Sequence, residues 1–256
     1  MVFRSWQLHT QQFLLPKSCS DPAECEDAIG INSEALRFAV ADGATEAFDA
    51  GNWARRLARC WVADETPALS VEEFRTWVAG QGQRLHSSWQ GRHLSWYAEE
   101  KSRHGSFAAF VGVQFELNRD RPCWRAIALG DACLVHRRRD FLCSVMPVSE
   151  HQNFNSAPVL VPSLDSLQEA ALARAVTSSG TFEESDVLLL LSDAAAAWYL
   201  RRSETEDPVC AEFDSFLAAA QNKELTRLFQ QERRAGRLKD DDIAILRIAA
   251  QLERLT

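Results

Sequence analysis

Five aspartates stand at the ends of apolar runs. Asp27 leads into Ala28-Ile29-Gly30-Ile31, and Asp42 ends the run at 36–41. Asp131 closes residues 124–130, Asp193 follows the apolar run 187–191 and Ser192, and Asp241 leads into the run that begins at Ile243. If each run is a strand, each acid sits on a rigid mount whose sheet neighbours lie about 5 Å away. At an effective dielectric of about 20, two carboxylates about 5 Å apart repel by about 3 kcal/mol. Four or five such groups in one cleft need protons or cations. Hard divalent ions such as Mg²⁺ or Mn²⁺ suit an all-oxygen set, and the absence of histidine from these tips argues against zinc. Each acid alone also has an ordinary structural reading, since Asp-Gly is a turn signal and Ser-Asp before a helix is a common start.

The elements that must position these acids can be read from periodicity. Residues 36–41 alternate as a strand and run into Asp42-Gly43. Trp53, Leu57, Cys60 and Trp61 then fall on one helical face, and a second helical pattern covers about 71–99, with Gly80 and Gly82 where it can break. The period changes to two at residues 107–117, 124–131, 133–137 and 141–145, joined by polar turns at 118–122 and 138–140. These four runs read as an antiparallel meander. After an irregular stretch at 150–164 and a short helix at 165–175, DVLLLL (186–191) reads as a strand buried on both faces. Helices are expected after Ser192-Asp193 and at about 208–220 and 223–235, and the chain closes with a strand that begins in acid. Segregated helices and antiparallel strands indicate an α+β fold, with two sheets faced by helices as a natural solution.

Composition narrows the function classes. The chain has 256 residues, 46% hydrophobic and 25% charged, which are ordinary globular values. No repeat or linker stands out, so residues 1–256 read as one domain. Its 36 acidic and 28 basic residues give a formal charge of -8, which argues against nucleic-acid binding. No apolar run is long enough to cross a membrane. The opening residues lack a signal-peptide core, and seven cysteines without a CxxC pair read as reduced thiols. A cytoplasmic protein is expected.

The ordered set of motifs resembles the metal-dependent serine/threonine phosphatases of type 2C, especially their bacterial branch. Cys25-Glu26-Asp27-Ala28 resembles the first acidic motif of that family, and Val40-Ala41-Asp42-Gly43-Ala44 its Asp-Gly motif. Gly105-Ser106-Phe107-Ala108-Ala109 is similar to its small-residue strand start. Ala128-Leu129-Gly130-Asp131, Leu190-Leu191-Ser192-Asp193 and Asp241-Asp242-Ile243-Ala244-Ile245 resemble its three remaining motifs. The resemblance implies a central antiparallel β-sandwich flanked by helix pairs, in four layers. It implies two Mn²⁺ or Mg²⁺ ions, with a third at a looser site. Asp42 would bridge the two ions and the Gly43 carbonyl would ligate one. Asp27 would hold one ion, with Glu26 beside it in the metal set. Asp193 and Asp241 would hold the other, and Asp131 would join Asp193 at the third. Asp42, Asp193 and Asp241 would be the catalytic set, activating a water that attacks phosphorus in line. The implied substrate is a phosphorylated protein, with an opposing Ser/Thr kinase as counterpart, and neither nucleic acid nor membrane.

Three departures from the pattern matter. The family usually carries a phosphate-gripping arginine just before the first acidic motif, where this chain reads SDPAEC. Lys17 is the nearest substitute, without the bidentate fork. Ala44 stands where some members have a proton-donating histidine, and Ala244 replaces the usual threonine. Beside the phosphatase reading stand a pseudo-enzyme that binds a phosphorylated or kinase partner without turnover, and hydrolysis of a small phosphorylated metabolite. The tryptophans at 53, 61, 77 and 89 are expected in the core, and His86, His93 and His104 on the surface. Arg137-Arg138-Arg139 is expected exposed in a turn, where it could attract an acidic phosphorylated segment. The segment at 154–158 is expected near the site, shaping substrate access.

Overall fold

The period-two runs between residues 107 and 146 are realised as two hairpins in different sheets rather than as one meander. In the computed structural model, which describes residues 4–64, 69–91, 93, 95–117, 122–139, 141–154, 157–184, 186–205 and 207–254, β1 (Arg4–Leu15) is followed by β2 (Asp27–Asn32) and β3 (Arg37–Gly43). Helices α1 (Ala50–Ala63), α2 (Val71–Trp89) and α3 (Trp96–Ser102) come next. Strands β4 (Phe107–Glu116) and β5 (Cys123–Leu129) form one hairpin, β6 (Cys133–Arg138) and β7 (Phe141–Met146) the other. Then come β8 (Val161–Pro162), α4 (Asp165–Leu172), β9 (Val176–Thr181) and β10 (Asp186–Leu191). The chain closes with α5 (Asp193–Glu204), α6 (Val209–Ala218), α7 (Asn222–Arg234) and β11 (Ile243–Arg254). The expected turns at 118–122 and 138–140 fall largely or partly outside the described residues, as do Asn155 and Ser156 of the 154–158 segment.

One sheet runs β1-β11-β10-β6-β7 and the other β2-β3-β4-β5-β9, with β8 beside β4. All the pairings are antiparallel. Strand alternation divides the side chains among three apolar layers. Phe38, Val40, Val111 and Val113 face Leu188, Leu190, Leu246 and Ile248 between the sheets. Ala39, Ala41 and Phe110, on the opposite face of their sheet, receive Trp53, Leu57, Trp61, Phe74 and Val78 of α1 and α2. Leu189, Leu191, Ile243 and Ile245 receive Trp198, Tyr199, Phe213 and Phe229 of α5–α7. The result is the expected α+β sandwich with helices on both faces, and β10 is buried at all six positions, as its unbroken apolar run predicts.

Several elements depart from the sequence reading. β1 pairs with β11 along twelve positions. Gln7, His9 and Gln12 are exposed on this edge strand, while Trp6 and Leu8 pack between the sheets and Phe13 packs on the opposite face against the helices. β9 is also an edge strand, and its VTSSGT sequence carries little apolar signal. The helical pattern expected over 71–99 divides into α2 and α3. Gly80 and Gly82 do not break α2. It begins at a capping box, where Ser70 Oγ accepts from Glu73 N at 3.2 Å and Glu73 Oε2 accepts from Ser70 N at 2.9 Å.

Arg137 and Arg138 lie within β6 and are already paired. Arg137 bonds Asp214, and Arg138 holds both oxygens of Asp186 at 2.7 and 2.9 Å. They do not form a free phosphate-attracting patch. His86 is half-buried and hydrogen-bonds Ser163 Oγ at 3.0 Å, against the surface expectation, while His93 and His104 are exposed. Trp53 and Trp61 are fully buried, and Trp77 and Trp89 pack against the same core. The described cysteines form no disulfide; Cys25 and Cys133 are buried, Cys19 and Cys143 exposed.

Candidate active site

Antiparallel register brings the first two acids together before any packing is considered. Asp27 and Asp42 are direct partners across β2 and β3. Gly43, the next residue, lies so close to α1 that a Cβ there would meet the Ala50 carbonyl at 2.8 Å. The second pair comes from the other sheet. Leu191 of β10 lies opposite Ile245 of β11. Asp193 therefore leaves the end of β10 close to where Asp241 and Asp242 enter β11. Ser192 ties these ends, donating its N–H to the Ala244 carbonyl at 3.0 Å and accepting from Ala244 N at 2.9 Å. Between the sheets, Asp193 N donates to Asp42 Oδ2 at 3.3 Å. Asp131 arrives at the crossover from β5 to β6. Gly130 turns the chain there with φ +101°, in a space where a Cβ would stand 2.6 Å from that of Ala109.

The tips enclose a cleft of about 340 Å³ lined by Asp42, Gly43, Asp131, Asp193 and Asp241, together with Ala44, Thr45, Glu46, Pro158, Leu160 and Lys239. Five of the seven expected site residues thus share one cavity. Asp27 lies just behind Asp42, 3% exposed, and Glu26 does not line the cleft, its buried Oε2 lying 3.7 Å from Lys17 Nζ without a hydrogen bond. Lys17 does not line the cleft, and among the described residues no arginine does. The described parts of the 150–164 segment contribute Pro158 and Leu160 to the wall.

Electrostatics separates the two pairs. Burial pushes the Asp27 carboxyl well above the ordinary range against a hydrogen bond from Ser192, and the charges of Asp242, Asp193 and Asp241 add to the rise. Burial and the neighbouring Asp27, Asp193 and Asp131 raise Asp42 likewise. Asp27 Oδ2 is buried without a hydrogen-bond partner. Burial, with Asp193, lifts Asp131 to about 7. Asp193 and Asp241 instead share a cation: Lys239 Nζ stands 3.0 Å from Asp193 Oδ2 and 2.6 Å from Asp241 Oδ2. Burial works against the charge on Lys239, but the Asp241 hydrogen bond and the Asp193 carboxylate hold its pKa above the ordinary value. Among the described residues, no three His, Cys, Asp or Glu side chains are arranged to hold a metal ion as they stand. The donor chemistry of the Asp27–Asp42 pair nevertheless fits a hard divalent cation, because it leaves a buried carboxylate oxygen unpaired.

Sequence reasoning missed Lys239 and Asp242. Asp242 is 4% exposed and accepts the backbone N–H groups of Lys17 and Glu26, each at 2.8 Å, which fixes the loop before β2 against β11. Its signal was the doubled acid at the start of β11. Lys239 had none, since only the folded turn brings it over the cleft.

No sequence-family model and no curated protein sequence matches the chain. Solved structures do. PppA, described as a key regulatory component of T6SS in Pseudomonas aeruginosa, superposes with a TM-score of 0.61 at 17% identity, covering 97% of this chain and 100% of that one. The serine/threonine phosphatase PstP/Ppp of Mycobacterium tuberculosis gives 0.59 at 14%, covering 97% and 99%. A catalytic domain of PstP in complex with two manganese ions gives 0.60 at 14%, covering 96% and 100%. The chain has the fold of the type 2C Ser/Thr phosphatases, bacterial members among them.

Proposed function

We propose that this chain is a single-domain, metal-dependent phosphoprotein phosphatase acting on phosphoserine or phosphothreonine, with Mn²⁺ or Mg²⁺ as cofactor. The observation that carries the reading is the meeting of two aspartate pairs, one from each sheet, in a single cleft, with Asp27 Oδ2 buried and unpaired behind it. Asp27 and Asp42 would hold one ion, with the Gly43 carbonyl beside them; Asp193 and Asp241 would hold another, and Asp131 a looser third. Divalent ions held there would lower the pKa of a bound water so that hydroxide is available near neutral pH, and would set positive charge against the phosphoryl oxygens.

The chain's own contribution is placement. Asp42 is shared, since it faces Asp27 across the register and takes the Asp193 N–H from the other sheet. No cysteine lines the cleft among the described residues, so no thiol nucleophile is called for. Ala44 supplies no acid at the position facing the cavity, so the leaving alkoxide would take its proton from a water or from another group of the cleft. Pro158 and Leu160 wall the entrance and would shape substrate access. A cytoplasmic site of action and an opposing Ser/Thr kinase belong to the same reading. Among the described residues, no helix is long and apolar enough to cross a membrane.

The test is hydrolysis of an aryl phosphate and of phosphopeptides with Mn²⁺, with and without chelator. Chelator-sensitive turnover that disappears in Asp193→Asn supports the proposal. A second reading is favoured by Lys239 and by the lack of a cleft arginine: a pseudo-phosphatase that binds a phosphorylated or kinase partner. Phosphopeptide binding without turnover at any Mn²⁺ concentration selects it.

A further inference from the structure

Among the described residues Lys239 is the one cation in the cleft wall, and it lies on one side only. Its ammonium donates to Asp193 Oδ2 at 3.0 Å and approaches Asp241 Oδ2 to 2.6 Å. These carboxylates come from the adjoining ends of β10 and β11, so the ammonium stands where that pair converges. The Asp27–Asp42 pair receives no such partner: Asp27 Oδ2 is buried and unpaired, and Asp42 Oδ2 takes a backbone N–H. The cleft therefore has two unlike halves, one in which the carboxylates face each other without a cation and one in which an ammonium offsets one of two carboxylate charges.

We propose that Lys239 is a tethered counter-cation that fills the Asp193–Asp241 half of the site, so that divalent ions load in two unequal steps. The first ion enters beside Asp27 and Asp42. The second binds only by displacing the ammonium. The inference rests on the metal-dependent reading above. Lysine suits the role, because it is a compact point charge on a flexible four-carbon stem rather than a rigid fork. The Lys239 side chain is 63% exposed, so it can leave the pair without disturbing the core. The turn that carries it is anchored independently: Arg233 bonds both the Pro16 and Asp241 carbonyls, and Asp242 N donates to Asp241 Oδ1 at 3.0 Å.

The experiment is calorimetric titration of the metal-free full chain with Mn²⁺, in wild type, Lys239→Gln and Lys239→Met. The wild type is expected to bind one ion tightly and a second at least about tenfold more weakly, the scale of one charge-assisted hydrogen bond. Both variants should tighten the second step by about tenfold or more while leaving the first within about twofold, for the same reason. An unchanged first step also reports that the variants fold. Electron paramagnetic resonance should show spin-coupled Mn²⁺ pairs at a lower metal ratio in the variants than in wild type. A second ion bound no more tightly in the variants, or missing from all three proteins while the first binds, overturns the inference and leaves the metal-dependent reading standing. No ion bound by any of them overturns both.

Discussion

Two acidic centres, one among the helices that cover the β10–β11 sheet and one at the ends of β2 and β3 where the two sheets meet, are solved in opposite ways. Glu232, 4% exposed on α7, accepts from Trp198 Nε1 at 2.9 Å, Arg202 at 2.5 Å and Arg237 at 2.6 Å. Burial alone would raise its pKa, but these donors hold it down to about 2. At the cleft, Asp27 is buried and Asp42 partly so, yet they face other carboxylates and their pKa values rise. The chain supplies guanidinium groups where an acid has a structural task. It withholds them where carboxylates converge on a cavity. That contrast, more than burial itself, separates a structural acid from a candidate ligand.

The comparison can be broken from either side. The largest effect is expected at the structural centre. Glu232→Ala strands two guanidinium groups and an indole N–H, and should lower the unfolding free energy by about 4 kcal/mol in urea titrations. At the cleft, Asp42→Asn should reduce Mn²⁺-dependent aryl phosphate turnover by at least about 100-fold, without lowering the metal-free melting temperature. If Asp42→Asn destabilises the metal-free chain as Glu232→Ala does, the two centres are alike and the contrast fails.

The two centres also predict opposite pH slopes. Glu232, held at about 2 against an ordinary 4.5, contributes stability that is present above 4.5 and lost as pH falls toward 2. Asp131, raised from 3.8 to about 7, binds more protons folded than unfolded across that interval. Its stabilising contribution is full below 3.8 and lost as pH rises through 7. Metal-free protein should therefore melt highest near pH 4–5 and lose on the order of 2 kcal/mol by pH 8, and Asp131→Asn should flatten the alkaline side. Smallest of all, Asp27→Asn should stabilise the metal-free chain by about 1 kcal/mol at pH 8 and by nothing at pH 4. A loss at pH 8 would mean that Asp27 is already paired.

What the sequence made legible follows the same division. The Asp-Gly, Gly-Asp and Ser-Asp tips and the apolar run of β10 were readable because strand ends and period-two burial leave local marks. The split of the expected meander between the sheets was not, because the crossover at Gly130-Asp131 looks like any polar turn. β1 and β9 escaped notice as edge strands, where exposed polar residues dilute the alternation. Arg137 and Arg138 were misjudged because their partners, Asp214 and Asp186, lie 77 and 48 positions away. Lys239 was invisible for a related reason. A lysine two residues before an acid says nothing until the turn is folded and the end of β10 lies beside it.

The cleft lies at the mouth of the sandwich, and each sheet brings one aspartate pair to it. Midway along the strands the two sheets are glued by Phe38, Val40, Leu188 and Leu246, whereas at this rim they meet through polar contacts, Asp193 N to Asp42, Glu26 N to Asp242 and Ser192 to Asp27. Cations seated there would act as a clasp across the rim, so metal loading would govern how far the two halves of the protein can gape as well as whether they can react.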